Sequence, residues 1–348
     1  MEELRPTDEE GDRRESRLRE LGWLGSGALL ALCVSLIEGS RSDVHAPALP
    51  SPGPVAAWAV DRDAQELCGL DEDLVLARSV RIGRPLAVRA CSDGGAWVLR
   101  STSGGPSAPC RLDRIRVDGS IAAEIDLGAC GAMAALDSGG VLVVEKKAAS
   151  GGTDRLLRCD GRGEREIVLE AAELTCVMDS RTWLLAGTSR GEVLRSRSES
   201  GVASLERAIL EGSVVDLAPG PTAESAWVLF GEGGTTIGLF GPDLTLRWSA
   251  PTGLRSAHLA PVEGEERVWI ADVERPVVRR FGPTGVLELD RADLPLPGLD
   301  RVVPWARGDA LLVTPGAILR VDRRGRMRPG QGGFDYLTDL ARTPSAPR

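Results

Sequence analysis

The side chains best suited to chemistry are few in this sequence. Histidine occurs twice, as His45 and His258. The two are far too distant in the chain to form a helix-borne metal pair, and His45 stands in a proline-rich stretch. His258 lies alone in an apolar segment, where a local hydrogen bond within a strand accounts for it. This scarcity argues against Ser–His–Asp and Cys–His enzymes, whose nucleophiles need an imidazole base. Six cysteines lie beyond the N-terminal apolar run: Cys68, Cys91, Cys110, Cys130, Cys159 and Cys176. None forms a C-x-x-C, which disfavours zinc ribbons and thioredoxin-like exchange. In an oxidising compartment an even set of this kind forms disulfides. Pairing of neighbours (Cys68 with Cys91, Cys110 with Cys130, Cys159 with Cys176) is the simplest arrangement, and free buried thiols are the alternative. The glycine-rich Gly231–Gly234 lacks the GK[ST] and the helix of a phosphate loop, and the aspartates lack EF-hand spacing. No metal and no cofactor is therefore expected.

What remains is a mixture of acids and arginines. Arg84, Glu173, Glu211, Arg255, Asp300, Arg301 and Asp335 fall in segments that lead into apolar strands, near the longer loops Ser101–Pro109, Lys146–Thr153 and Gly231–Thr235. Such a set could hold a polar or carboxylate-bearing ligand. The plainer reading is a solvated loop face. The formal net charge is −9, and the basic residues are almost all arginines without a long run. Nucleic acid, whose phosphates demand clustered cations, is excluded as a partner. The arginine bias itself reads as genomic rather than functional.

The elements that would position these residues are visible as a repeat. Ala57-Trp58-Ala59-Val60 returns as Ala96-Trp97-Val98-Leu99, Val141-Leu142-Val143-Val144, Trp183-Leu184-Leu185-Ala186, Ala226-Trp227-Val228-Leu229, Val268-Trp269-Ile270-Ala271 and Ala310-Leu311-Leu312-Val313. The steps between equivalent positions are 39, 45, 41, 44, 42 and 42 residues. That period is the length of a four-stranded propeller blade. A Gly/Asp turn precedes most copies, as in Ser92-Asp93-Gly94-Gly95, with another apolar strand before it. A second hairpin follows each copy. The expected fold is all-β, a seven-bladed β-propeller over residues 55–342, with six blades as the alternative. The chain starts in the second strand of its first blade, so a strand near Tyr336–Ala341 is expected to close the ring. The periodic Trp58, Trp97, Trp183, Trp227 and Trp269 are expected to pack between blades. Trp248 and Trp305 fall off the pattern.

The first 54 residues differ in composition. Residues 1–20 are highly charged, and Leu21–Ile37 carries no charge over 17 residues, the low end of a membrane-spanning helix. Arg13, Arg14, Arg17 and Arg19 precede it and Arg41 follows. The positive-inside rule then puts the tail in the cytoplasm and the rest outside. An uncleaved signal anchor in a bacterial inner membrane is the first expectation, a cleaved signal peptide the second. Residues 38–54 read as a Pro/Ser-rich spacer, and residues 343–348 as a C-terminal tail.

With its repeat of [AV]-W-[VI]-x strands and D/P-x-G turns, best seen in Phe281–Leu287 (FGPTGVL) and Ser92–Arg100 (SDGGAWVLR), the chain resembles bacterial NHL and YVTN-repeat propellers, including the streptogramin-lyase-like group. The resemblance covers residues 55 to about 342. It implies a binding scaffold, a protein-interaction module or a lyase or hydrolase. Lyase-type members use histidines near the central tunnel, whereas this chain offers only His258 in the whole propeller, so no catalytic residue is carried over. The expected role is a tethered extracytoplasmic scaffold that binds a protein or small ligand. A structural subunit of a membrane complex and an enzyme with its site at the tunnel mouth are the alternatives.

Overall fold

The computed structural model describes residues 54–344, apart from 105–106, 148–151, 181–182, 198–204, 263–264, 292–293, 295 and 297. The charged tail, Leu21–Ile37 and nearly all of the spacer lie outside the described residues, as do the last four of the C-terminal tail. Among the described residues no helix is long and apolar enough to cross a membrane.

Seven four-stranded antiparallel sheets follow one another along the chain. Blade 1 contains β1 (Ala57–Asp61), β2 (Glu66–Leu70) and β3 (Leu76–Arg81). Blade 2 is β4 (Pro85–Ala90), β5 (Ala96–Ser101), β6 (Cys110–Ile115) and β7 (Ile121–Leu127). Blade 3 is β8 (Ala129–Ala135), β9 (Val141–Lys146), β10 (Asp154–Cys159) and β11 (Arg165–Ala171). Blade 4 is β12 (Leu174–Asp179), β13 (Trp183–Thr188), β14 (Glu192–Arg197) and β15 (Glu206–Ile209). Blade 5 is β16 (Val214–Pro219), β17 (Ala226–Phe230), β18 (Thr236–Phe240) and β19 (Leu246–Pro251). Blade 6 is β20 (Ala257–Pro261), β21 (Val268–Asp272), β22 (Val277–Phe281) and β23 (Leu287–Arg291). Blade 7 is β24 (Arg301–Pro304), β25 (Ala310–Thr314), β26 (Ala317–Val321) and β27 (Met327–Arg328). The final strand, β28 (Leu337–Arg342), pairs with β1 and completes blade 1. The seven-blade expectation and the closing strand are both met.

The first strands of the blades touch one another in a closed ring, β4 through β24 and on to β28. They line the central tunnel, and the fourth strands face solvent. The sequence follows from this layering. Second strands such as β1, β17, β21 and β25 are buried along their whole length, because each is covered on both faces by neighbouring blades. They therefore read as unbroken apolar runs. Outer strands such as β3 and β23 are mostly exposed or half-buried.

Seven apolar clusters fill the seven junctions between blades. One position of the second strand supplies the large side chain. Trp58, Trp97, Trp227 and Trp269 occupy it, all fully buried. Three of these indoles also reach the next blade. Trp58 Nε1 donates to the Gly94 carbonyl at 2.9 Å, Trp97 to Gly139 at 3.0 Å and Trp269 to Gly308 at 3.2 Å. Each accepting glycine sits in the hairpin turn between first and second strands, at a φ of 83, 84 or 78°. That left-handed backbone suits glycine.

The register corrects one tryptophan. Met178 faces Leu185 in blade 4 as Ala218 faces Trp227 in blade 5. Leu185 therefore holds the blade-linking position, in the cluster between blades 4 and 5. Trp183 lies two residues earlier and is only half-buried, with the Arg195 guanidinium stacked 4.3 Å from its ring centroid. The spacing of apolar runs alone does not reveal a shift of two, since both residues point to the same face.

The arginine bias also acquires a structural role. Arg114, Arg158, Arg195, Arg280 and Arg320 lie on third strands opposite the blade-linking residue. Each is ion-paired, to Asp93, Glu166, Glu206, Glu288 and Asp309 respectively. Arg114 and Arg280 also lie over Trp97 and Trp269. A flat guanidinium serves stack and ion pair together, which an ammonium does not.

Candidate functional site

Two polar regions stand out, one in the tunnel and one beside it. In the tunnel, one position of the first strand carries Asp339 in blade 1, Asp216 in blade 5, His258 in blade 6 and Arg301 in blade 7, as their pairing with second strands shows. The two aspartates do the same work. Asp339 accepts the N–H of Leu340 and that of Val88 in the next blade, both at 2.9 Å. Asp216 accepts Leu217 N–H at 2.9 Å and Leu259 N–H of its next blade at 3.0 Å. Both thus satisfy donors on the unpaired inner edge of a neighbouring sheet, a requirement for any buried backbone group.

Cations complete the cluster. Arg301 meets Asp339 at 2.6 Å and Arg89 meets it at 2.9 Å, while Arg89 Nε donates to the Met133 carbonyl of blade 3 at 2.7 Å. His258 Nδ1 lies 3.6 Å from Asp216. Burial alone would raise the Asp339 carboxyl, but Arg301, Arg89 and the two backbone donors hold it below the ordinary carboxylate range. Asp216 is likewise held down, against burial, by His258 and Leu259 N–H. Burial and the like charge of Arg301 lower Arg89. The tunnel charges thus join blades 7, 1, 2 and 3 through Asp339 and Arg89, and blades 5 and 6 through Asp216.

The second region is a cavity of about 680 Å³ over blades 1 to 3. It opens among the loops joining β1 to β2 and β5 to β6 and the link into β4. Arg62, Gln65, Arg84, Ser101, Cys110 and Cys130 line it, with Asp63 and the apolar Leu86. A shallower recess lined by Arg84, Arg100, Arg111 and Thr102 continues it. Arg100 and Arg111 are engaged with Asp113 and Asp126. Burial raises the Asp113 carboxyl, and its second oxygen has no hydrogen-bond partner among the described residues. Arg62 and Arg84 are exposed, and neither guanidinium has an ion-pair partner among the described residues. Gln65 and Arg84 both hold left-handed backbone, at φ of 58 and 47°. For side chains with a Cβ this costs on the order of 1 kcal/mol each.

The seven residues expected at the tunnel mouth are dispersed. Arg84 lines the cavity and Arg301 enters the tunnel cluster. Glu173 is engaged on the surface by Ser189 and Arg190. Asp300 is half-buried, and its carboxyl is raised by burial. Glu211, Arg255 and Asp335 are exposed, each in a different inter-blade link. No two of the seven share an ion pair or side-chain hydrogen bond among the described residues. Sequence reasoning missed Arg89, Asp216 and Asp339 in the tunnel and Arg62 in the cavity. A signal for the aspartates existed: Asp216-Leu217-Ala218 and Asp339-Leu340-Ala341 are the same tripeptide in corresponding strands.

The cysteines also depart from the simplest pairing. All six are free. Cys68 packs between blades 7 and 1, while Cys91 packs between blades 2 and 3. Cys159 shares the latter cluster, while Cys176 lies between blades 4 and 5. Those two neighbour pairs are therefore held in separate cores and cannot bond. Cys110 and Cys130 alone converge.

No family model and no curated protein matches this chain. Solved structures do. A functionally unknown protein from Desulfotomaculum acetoxidans is 12% identical at a TM-score of 0.64, over 82% of this chain and 98% of that one. A putative 6-phosphogluconolactonase from Bacteroides uniformis gives the same identity, score and coverage. The chain shares its fold with virginiamycin B lyase. The Staphylococcus aureus lyase, solved as a catalytically inactive variant with quinupristin, is 13% identical at a TM-score of 0.56, over 76% of this chain and 87% of that one. At such identities the likeness is one of fold, and it fits the streptogramin-lyase-like propeller that the repeat resembles.

Proposed function

We propose that this chain is a non-enzymatic binding module that seats a small anionic ligand, a carboxylate or phosphate, in the cavity over blades 1 to 3. The observation that carries this reading is the pair of guanidiniums, Arg62 and Arg84, unengaged among the described residues, on a concave wall held by two left-handed residues. Guanidinium forks match such anions in charge and geometry. Strain kept at a cavity wall is the pattern of a functional site. The propeller is tethered outside a bacterial inner membrane by Leu21–Ile37, with its N-terminus in the cytoplasm. There it acts alone or as a subunit docked to a membrane complex.

The test is a thermal-shift and calorimetric screen of inorganic phosphate and of mono- and dicarboxylates against the full chain and Arg62→Ala/Arg84→Ala. Ligand-dependent stabilisation lost in the double variant supports the seat. Equal shifts in both chains refute it. Protease protection of intact cells tests the tether, and a pull-down from detergent-solubilised membranes tests the docked subunit.

A second reading has one observation in its favour. His258, the one histidine among the described residues, lies half-exposed beside Asp216 in the tunnel. A carboxylate-oriented imidazole is the arrangement of a general base, and the lyase shares the fold. Lyase or hydrolase turnover abolished by His258→Ala would replace the binding reading.

A further inference from the structure

We propose that Cys110 and Cys130 form a thiol–disulfide exchange site in the wall of the cavity, where a small disulfide entering from solvent oxidises them to a bond between blades 2 and 3. Three observations place the two residues together. Cys110 N–H and Cys130 Sγ both donate to the carbonyl of Gly128, at 3.1 and 3.4 Å. Both also pack in the apolar cluster between blades 2 and 3. Both line the cavity. The topology explains the meeting. A single residue, Gly128, separates the outer strand β7 from the inner strand β8. The chain is therefore pulled taut across the top of the junction, and Cys130 is drawn onto the start of β6.

The chemistry separates this pair from the other thiols. The neighbouring Cys130 thiol, whose one proton can turn from the Gly128 carbonyl toward a thiolate on Cys110, lowers Cys110 to about 7, while Cys130 itself is pushed up. Burial pushes Cys91 and Cys159 to about 11, and Cys68 and Cys176 to about 12. Exchange proceeds through the thiolate. Cys110 Sγ attacks one sulfur of a small disulfide such as oxidised glutathione. A new S–S bond forms as the old one breaks, and one glutathione thiolate leaves. Cys130 then gives up its proton and attacks Cys110 Sγ, releasing the second glutathione. Two protein thiols are oxidised, one disulfide is reduced to two thiols, and the two protons end on the released glutathiones. The proposal does not depend on anion binding in the same cavity.

The experiment treats the reduced full chain with oxidised glutathione, quenches with an alkylating agent and maps peptides by mass spectrometry. A Cys110–Cys130 cross-link is expected, with Cys68, Cys91, Cys159 and Cys176 alkylated only after denaturation. In Cys130→Ser, glutathione is expected to remain on Cys110, roughly ten-fold or more faster than on any other cysteine. In Cys110→Ser, Cys130 is expected to take up none on that timescale. An unchanged far-UV spectrum confirms that each variant is folded. A folded chain that forms no such cross-link, or a Cys110→Ser variant that is glutathionylated as fast as Cys130→Ser, overturns the proposal.

Discussion

The tunnel and the cavity are both rich in charge, yet they use it in opposite ways. In the tunnel, Asp339 has four donors on its two oxygens, from Arg89, Arg301, Val88 and Leu340. No capacity is left for a ligand. In the cavity, Arg62 and Arg84 are exposed and engaged by no acid among the described residues. Satisfied buried charge holds blades together, and unsatisfied exposed charge is free to bind. The position nearest the propeller axis is thus the less available of the two.

Mutation separates the regions most sharply at Asp339. Replacing it with Ala removes the carboxylate that pairs Arg89 and Arg301 and leaves the N–H groups of Val88 and Leu340 without that acceptor, and a loss of ~3–5 kcal/mol is expected in chemical denaturation. A loss of less than about 1 kcal/mol would show that the tunnel charges are screened by water. The blade-linking position comes next. Trp97→Ala is expected to cost ~3–5 kcal/mol, against ~1 kcal/mol for the half-buried Trp183→Ala. Equal costs would mean that the register placing Leu185 at the junction is wrong.

A pH titration of stability probes the same contrast through Asp339 and Asp216. Both carboxyls are held below their ordinary values in the fold. Their contribution is present above the unfolded carboxylate pKa of about 4 and is lost as pH falls through the lower folded values. The native chain is expected to lose stability progressively below about pH 4. Asp339→Asn is expected to flatten that slope, and an unaltered slope would assign it to other acids. The smallest expected effect lies in the cavity. Arg62→Ala should change stability by no more than about 0.5 kcal/mol while weakening anion binding in calorimetry. A larger stability loss would make Arg62 a structural residue.

The fold was legible because β1, β5, β17 and β21 are covered on both faces, so each announces itself as an apolar run at near-constant spacing. Closure by β28 was legible from the same arithmetic, since the first unit lacked its opening strand. Trp183 was misread because a run such as Trp183-Leu184-Leu185-Ala186 looks alike when slid by two, and only pairing with β12 fixes the phase. Most of the site was hidden. The cavity arises where Gln65 and Arg84 adopt left-handed backbone and where Gly128 shortens one link, and neither feature has a residue signature of its own. The tunnel acids did leave a signature, the repeated Asp-Leu-Ala, but its meaning depends on donors contributed by the following blade. Of the three neighbour pairs, only Cys110 and Cys130 approach one another, because the one-residue link at Gly128 offers the same carbonyl to both, and no spacing in the sequence singles that pair out.

The pairing of β28 with β1 also sets an order of events during synthesis. Blades 2 to 7 are assembled from neighbouring segments and can form as the chain emerges from the ribosome. Blade 1 cannot. Ala57 waits for Arg342, its partner in the sheet, and until then Trp58 and its strand have no inner neighbour. The first blade to be translated is therefore the last to be finished. For most of its synthesis this chain exists as an open arc with a sticky edge, in need of protection until the final strand arrives.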